Sequence, residues 1–295
     1  MIIIKNIDII AACSDLGVHV NGSKFGPEIL INNLNKSLVH NIKKIYSKNI
    51  NYKKSLNKND LKKNLNEINS FNSDLYDAVF ESLRNNFFPI TIGGDHSIAI
   101  ASSLASIRQY NNLGIIWFDA HGDYHTFKTT TSGNIHGIPF ASVTNYEPSL
   151  LKDFHIGPCF NPKNAVLLGG RDIDEPDELK NLKNAGVTII TTEDIKTFGI
   201  KAMSKKAFNI ASNGTNGIHV SYDLDVIDPT LAPGVSIPAK NGINLEEAYG
   251  FVDYILKNRE KIKSIDLVEL NPLNDKEQKT EKIALNILNK IINEM

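Results

Sequence analysis

Short apolar runs of strand length alternate with segments of helical period along this chain, and that rhythm constrains the fold more than any other feature. Runs at 2–11, 42–47, 88–92, 113–119, 164–168, 187–191, 217–223 and 263–269 read as strands. Between them, 26–37, 72–86, 97–109, 175–184, 193–210, 244–258 and 277–293 read as helices. Runs such as LGIIWF (113–118) and AVLLGG (165–170) are apolar on both faces. A strand without a polar face must be covered on both sides, which suits a parallel sheet between two layers of helices. The pattern predicts an α/β fold: a three-layer α/β/α sandwich with a central, mostly parallel sheet of about eight strands. No Pro/Ser-rich linker or break in composition divides the 295 residues, so 1–295 reads as a single domain. Only 48–70, rich in Lys and Asn, is low in complexity, and it reads as a solvated loop running into a helix.

Composition removes several function classes. A net charge of −1 gives no general footprint for nucleic acid. No stretch approaches the ~20 apolar residues of a membrane span. The apolar N-terminus is interrupted by Lys5 and Asp8, whereas a signal peptide carries its charge before the apolar run. Cys13 and Cys159 match no zinc spacing and read as thiols of a reducing compartment, so a cytoplasmic protein is expected.

In such sheets, ligands bind beyond the carboxyl ends of the strands, and four strand ends here run into polar side chains. In GIIWFDAHGDYH (114–125), Asp119, His121, Asp123 and His125 fall at alternate positions. Residues i, i+2 and i+4 of an extended segment point the same way, so Asp119, His121 and Asp123 should converge. Such a set is costly to desolvate without a cation. In PITIGGDHSIAI (89–100), Asp95 or Ser97 reads as a helix N-cap beside His96. GIHVSYDLDVIDP (217–229) ends in Asp223 and Asp225, with Asp228 as a turn residue before Pro229. SIDLVELNP (264–272) ends at Glu269, a candidate for holding a cationic substrate. His96, Asp119, His121, Asp123, Asp223 and Asp225 are too many for one ordinary zinc site and suit two divalent ions. The oxygen-rich set fits Mn²⁺. Two ions about 3.5–4 Å apart can activate a water to attack an electrophilic carbon.

The segments GGDHS, DAHGD and SYDLDVIDPTLAPG resemble the three signatures of the ureohydrolases, the arginase–agmatinase–formiminoglutamase family, and DLGVHVNGSKFGPEIL resembles its N-terminal Gly-Pro element. The resemblance spans nearly the whole chain. It implies a binuclear manganese hydrolase with two Mn²⁺ per subunit (or another divalent metal) that cleaves a guanidino or related C–N bond by attack of a metal-bridging hydroxide. It places all six residues above as metal ligands, with Asp123 and Asp223 at the bridging positions. Glu269 matches the carboxylate that positions the guanidinium, and His136 matches the proton-shuttling His, read as a neutral imidazole near pH 7. The family is commonly trimeric or hexameric, which implies a homo-oligomer.

TTTSGNIHG (129–137) and GGRDIDEPD (169–177) resemble the arginase versions of these loops. Ser132 and Asn134 match residues that bind the amino-acid end of arginine, Asp174 matches one that reads the α-amino group, and Asp177 occupies a neighbouring recognition position. The substrate so implied is L-arginine, cleaved to L-ornithine and urea. Two positions depart from the arginase pattern. His125 stands where arginases carry an Asn that helps hold the substrate carboxylate, and Ile237 lacks a hydroxyl. Both keep open a sister enzyme acting on another guanidino or formimino compound. A metal-binding protein without catalysis is the third reading.

Overall fold

A computed structural model describes residues 6–47, 64–151, 154–155, 157–174 and 176–295. Its strands are β1 Ile7–Cys13, β2 Val39–Tyr46, β3 Phe88–Gly93, β4 Gly114–Phe118, β5 Ala165–Gly170, β6 Thr188–Thr191, β7 Ile218–Asp223 and β8 Ile262–Val268. The α-helices are α1 Gly26–Asn33, α2 Leu65–Arg84, α3 Ala99–Tyr110, α4 Pro139–Val143, α5 Asp177–Ala185, α6 Thr192–Phe198, α7 Ile200–Ala211, α8 Leu245–Lys257 and α9 Lys279–Glu294. All eight strands form one sheet in the order β2-β1-β3-β8-β7-β4-β5-β6, and every pairing is parallel. The expected architecture is therefore present, with a wholly parallel sheet.

Two apolar clusters cover the two faces. One packs α1, α7, α8 and α9 against the sheet; the other packs α2, α3 and α4. In β4 and β5 successive residues alternate between these clusters. Ile116 and Phe118 belong to one, Ile115 and Trp117 to the other. That is why these runs carry no polar face.

Several boundaries differ from expectation. The helix expected over 26–37 ends at Asn33, because Leu34 turns to extended geometry (ψ 144°) ahead of a polar Asn/Lys/Ser run that favours turns. The helix expected over 72–86 begins at Leu65. Ile68, Phe71, Leu75 and Val79 continue one buried stripe into the Asn-rich segment. The rest of the expected low-complexity loop, 48–63, lies outside the described residues, as does the start of the strand expected over 2–11. The segment 193–210 is two helices. Gly199 (φ 81°) separates them in a backbone conformation that a β-carbon disfavours. Helix α4 was not anticipated; Pro139 opens it at a position where no N–H is needed.

Candidate metal centre

β3, β4, β7 and β8 are neighbours through the middle of the sheet, so their carboxyl ends deliver the polar loops to one place. After β3 the chain turns through Gly94, whose added β-carbon would lie 1.8 Å from the Ser14 carbonyl; only glycine allows that approach. Asp95 then accepts from the Ser97 N–H (2.8 Å) and the Gly17 N–H (2.9 Å), the N-cap role read from the sequence. His96 faces the cluster. Its Nδ1 lies 2.9 Å from Asp119, 3.1 Å from Asp123 and 3.0 Å from Asp223. His121 Nδ1 lies 2.9 Å from Asp225 and 3.5 Å from Asp119. Two groups result, His96/Asp119/Asp223 and Asp119/His121/Asp225, and both are able to hold an ion.

The six residues predicted from strand ends thus come together, but not by simple alternation. Asp119 reaches both His96 and His121, His121 turns toward Asp225, and Asp123, at φ 47°, reaches His96. The residue common to both groups is Asp119, where the family pattern had suggested Asp123. Asp119 is held by donors on both oxygens: Trp117 Nε1–H at 3.0 Å and the His121 N–H at 2.6 Å. The Trp117 ring also stacks on His96, with centroids 4.1 Å apart.

The donor set fits a cation. His96 Nε2 meets the Ser221 hydroxyl at 2.9 Å, and Nδ1, buried among three carboxylates, meets hydrogen-bond geometry with none of them. His121 Nε2 and one oxygen of Asp123 are also buried without a hydrogen-bond partner among the described residues. Burial opposes a charge on His96, but Asp119, Asp123 and Asp223 outweigh it and raise its pKa well above the ordinary value. Burial, then the charges of Asp225 and Asp119, push Asp223 well up. Lone pairs turned toward one point are stable only with protons or metal between them.

Glu269 enters from the end of β8 at φ 69°. Its backbone N–H donates to the Gly94 carbonyl (2.8 Å), and its Oε1 accepts from the His96 N–H (2.9 Å). His136 Nδ1 lies 3.2 Å from the same oxygen, while Glu269 Oε2 has no partner among the described residues. Burial opposes protonation of His136, but Glu269 outweighs it and raises the pKa. A cleft of about 260 Å³ opens over these groups, lined among others by His125, Ser132, Asn134, Asp174 and Ile237.

The model of the family described as Arginase matches residues 5–293. Arginase from Bacillus subtilis (strain 168) is 35% identical over 294 residues, covering 98% of each chain. The chain belongs to the arginase family. Its members act as hydrolases on guanidino C–N bonds, and so does this enzyme. Arginase from Staphylococcus aureus (strain COL) is 34% identical, covering 96% of each chain. A crystal structure of the B. subtilis arginase superposes with a TM-score of 0.88 at 32% identity, covering 99% of each chain.

Two residues of this arginase-family site escaped the sequence reading. Asp177 is exposed at the start of α5 and does not line the cleft. Its neighbour Glu178 is buried and does line it, because one residue of helix turns the side chain by about 100°. Glu178 accepts from the Tyr124 N–H (2.9 Å) and the Asp174 N–H (3.0 Å), tying the loop after β4 to the loop after β5. Burial pushes its pKa up to about 7. Arg171 donates to the carbonyls of Asp225 (2.7 Å), Val226 (2.9 Å), Ala239 (2.9 Å) and Lys240 (3.0 Å), fixing the loop that carries Asp225. An Arg before the Asp-rich run was the available signal. Asp228 accepts from the Thr230 and Gly242 N–H groups, the turn role expected.

Proposed function

We propose that this protein is a binuclear manganese arginase, hydrolysing L-arginine to L-ornithine and urea. The observation that carries the reading is the pair of His/Asp groups sharing Asp119, with buried imidazole nitrogens aimed at carboxylates. His96, Asp119, Asp123 and Asp223 would hold one ion, and Asp119, His121, Asp223 and Asp225 the other. Two such ions supply a nucleophilic hydroxide at neutral pH. The free oxygen of Glu269 accepts directed N–H bonds from the planar guanidinium. His136, held beside Glu269, passes a proton to the departing amine when its C–N bond breaks. Ser132 and Asn134 face the far end of the substrate from one wall, and Asp174 and Glu178 from the other.

We read residues 1–295 as one domain, since strands from Ile7 to Val268 share one sheet. A trimer or hexamer and a cytoplasmic location complete the reading; the free thiols of Cys13 and Cys159 support the latter. No described helix is long and apolar enough to cross a membrane. A second reading, a sister enzyme for another guanidino or formimino compound, is favoured by His125 and Ile237 in the cleft wall. The test is urea and amine release by Mn²⁺-loaded protein from L-arginine, agmatine and formiminoglutamate. Urea and ornithine from arginine are expected. Turnover of another compound alone selects the second reading.

A further inference from the structure

The imidazole of His125 has two polar atoms, and the protein uses both. Nε2 lies 3.0 Å from Asp174 Oδ2, and Nδ1 lies 3.2 Å from Thr129 Oγ1. A carboxylate only accepts, so the proton is on Nε2. Thr129 Oγ1 already receives the Thr126 N–H (2.9 Å) and an Asn181 amide N–H (3.3 Å). Its lone pairs are engaged, so its own hydrogen is directed to Nδ1 or to Thr126 Oγ1 at 3.3 Å. The backbone N–H of His125 donates to the Gly137 carbonyl (3.1 Å), and the Asp174 N–H is held by Glu178 (3.0 Å). The ring is clamped between two loops, with no nitrogen left for a substrate carboxylate.

We propose that His125 acts as a positioning residue for Asp174, so that this enzyme reads the far end of its substrate through its ammonium rather than its carboxylate. The inference rests on the guanidino-hydrolase reading above and assigns specificity within it. Asp174 spends Oδ2 on His125, and its side chain remains 66% exposed at the cleft mouth, leaving Oδ1 for a cationic group. Asp172 adds a second carboxylate to that mouth, and no Lys or Arg is among its described lining residues. Charge-assisted N–H···O⁻ bonds are the stronger class, so the ammonium dominates recognition.

Three guanidino compounds separate the possibilities. L-Arginine carries both end groups, agmatine keeps the amine, and 5-guanidinopentanoate keeps the carboxylate. Each is measured with Mn²⁺-loaded full-length protein as substrate or, where it is not turned over, as a competitive inhibitor. In His125→Ala, KM or Ki for arginine and agmatine should rise about tenfold, the size of one misplaced charged hydrogen bond, with 5-guanidinopentanoate within about twofold. Asp174→Asn should show the same selectivity, and the double variant should lose little more than either single one. Losses on arginine and 5-guanidinopentanoate with agmatine spared would overturn the inference and make His125 a carboxylate contact. Equal losses on all three would reduce it to a structural residue and also overturn it. Silence of the wild-type protein on every compound would overturn the guanidino reading itself, and this inference with it.

Discussion

His96 and His219 are both buried on the central strands or their ends, both within 3.0 Å of an aspartate, and both beside a serine. Their surroundings differ in one respect. His219 meets Ser264 Oγ at Nδ1 (2.7 Å) and Asp266 Oδ2 at Nε2 (3.0 Å), and Ser102 donates to the same aspartate oxygen (2.6 Å). Ser106 pairs with Ser264 (2.6 Å) and extends the chain of hydroxyls into α3. Both nitrogens of that ring are used inside the sheet. His96 has a serine on Nε2 and three carboxylates around Nδ1, with no hydrogen bond among them. Residue type and burial do not separate a structural histidine from a ligand; the donor–acceptor count does.

The comparison breaks or sharpens under variation, starting with the largest effect. Asp119→Ala removes the carboxylate common to both groups. Bound metal should fall from two ions toward none, and turnover should drop roughly a thousandfold or more. Metal analysis of the desalted variant checks this, and two retained ions would give Asp119 a lesser role. His219→Ala should instead cost stability, about 3 kcal/mol, by leaving Asp266 buried without its imidazole. Denaturant unfolding measures that loss, while the folded fraction should keep its full metal complement. Ser221→Ala leaves His96 in place but frees its Nε2. Metal affinity should fall roughly 10–100-fold, read by competition with a chromogenic chelator.

The smallest effect is on pH. Carboxylates raise the pKa of His96 and His121 over the opposing effect of burial, so the metal-free folded protein holds protons that the unfolded chain releases. Their contribution is full below the unfolded imidazole value, about 6.5, and is lost as pH rises through the raised folded values. Metal displaces those protons. The gain in Tm on adding Mn²⁺ should therefore be greater at about pH 8.5 than at about pH 6.5. A gain that shrinks with rising pH would contradict the ligand assignment.

Much of this was legible in the sequence because strands translate directly into pattern. Runs without a polar face imply a covered parallel sheet, and a parallel sheet gathers its strand ends on one side. His96, Asp119, His121, Asp123, Asp223, Asp225, His136 and Glu269 were all found that way or by resemblance, and they come together in one cluster, of which His121, Asp123 and His136 line the cleft. Tertiary structure alone decided how they are shared out. Asp119 rather than Asp123 joins the two groups because a left-handed residue breaks the alternation at Asp123. Glu178 rather than Asp177 faces the cleft because the phase of α5 is set by packing. His125 serves Asp174, and no spacing reveals that, since 49 residues and two loops separate them. Periodic backbone carries its side-chain directions in the sequence; at loops those directions follow from φ, ψ and the partners that folding brings within reach.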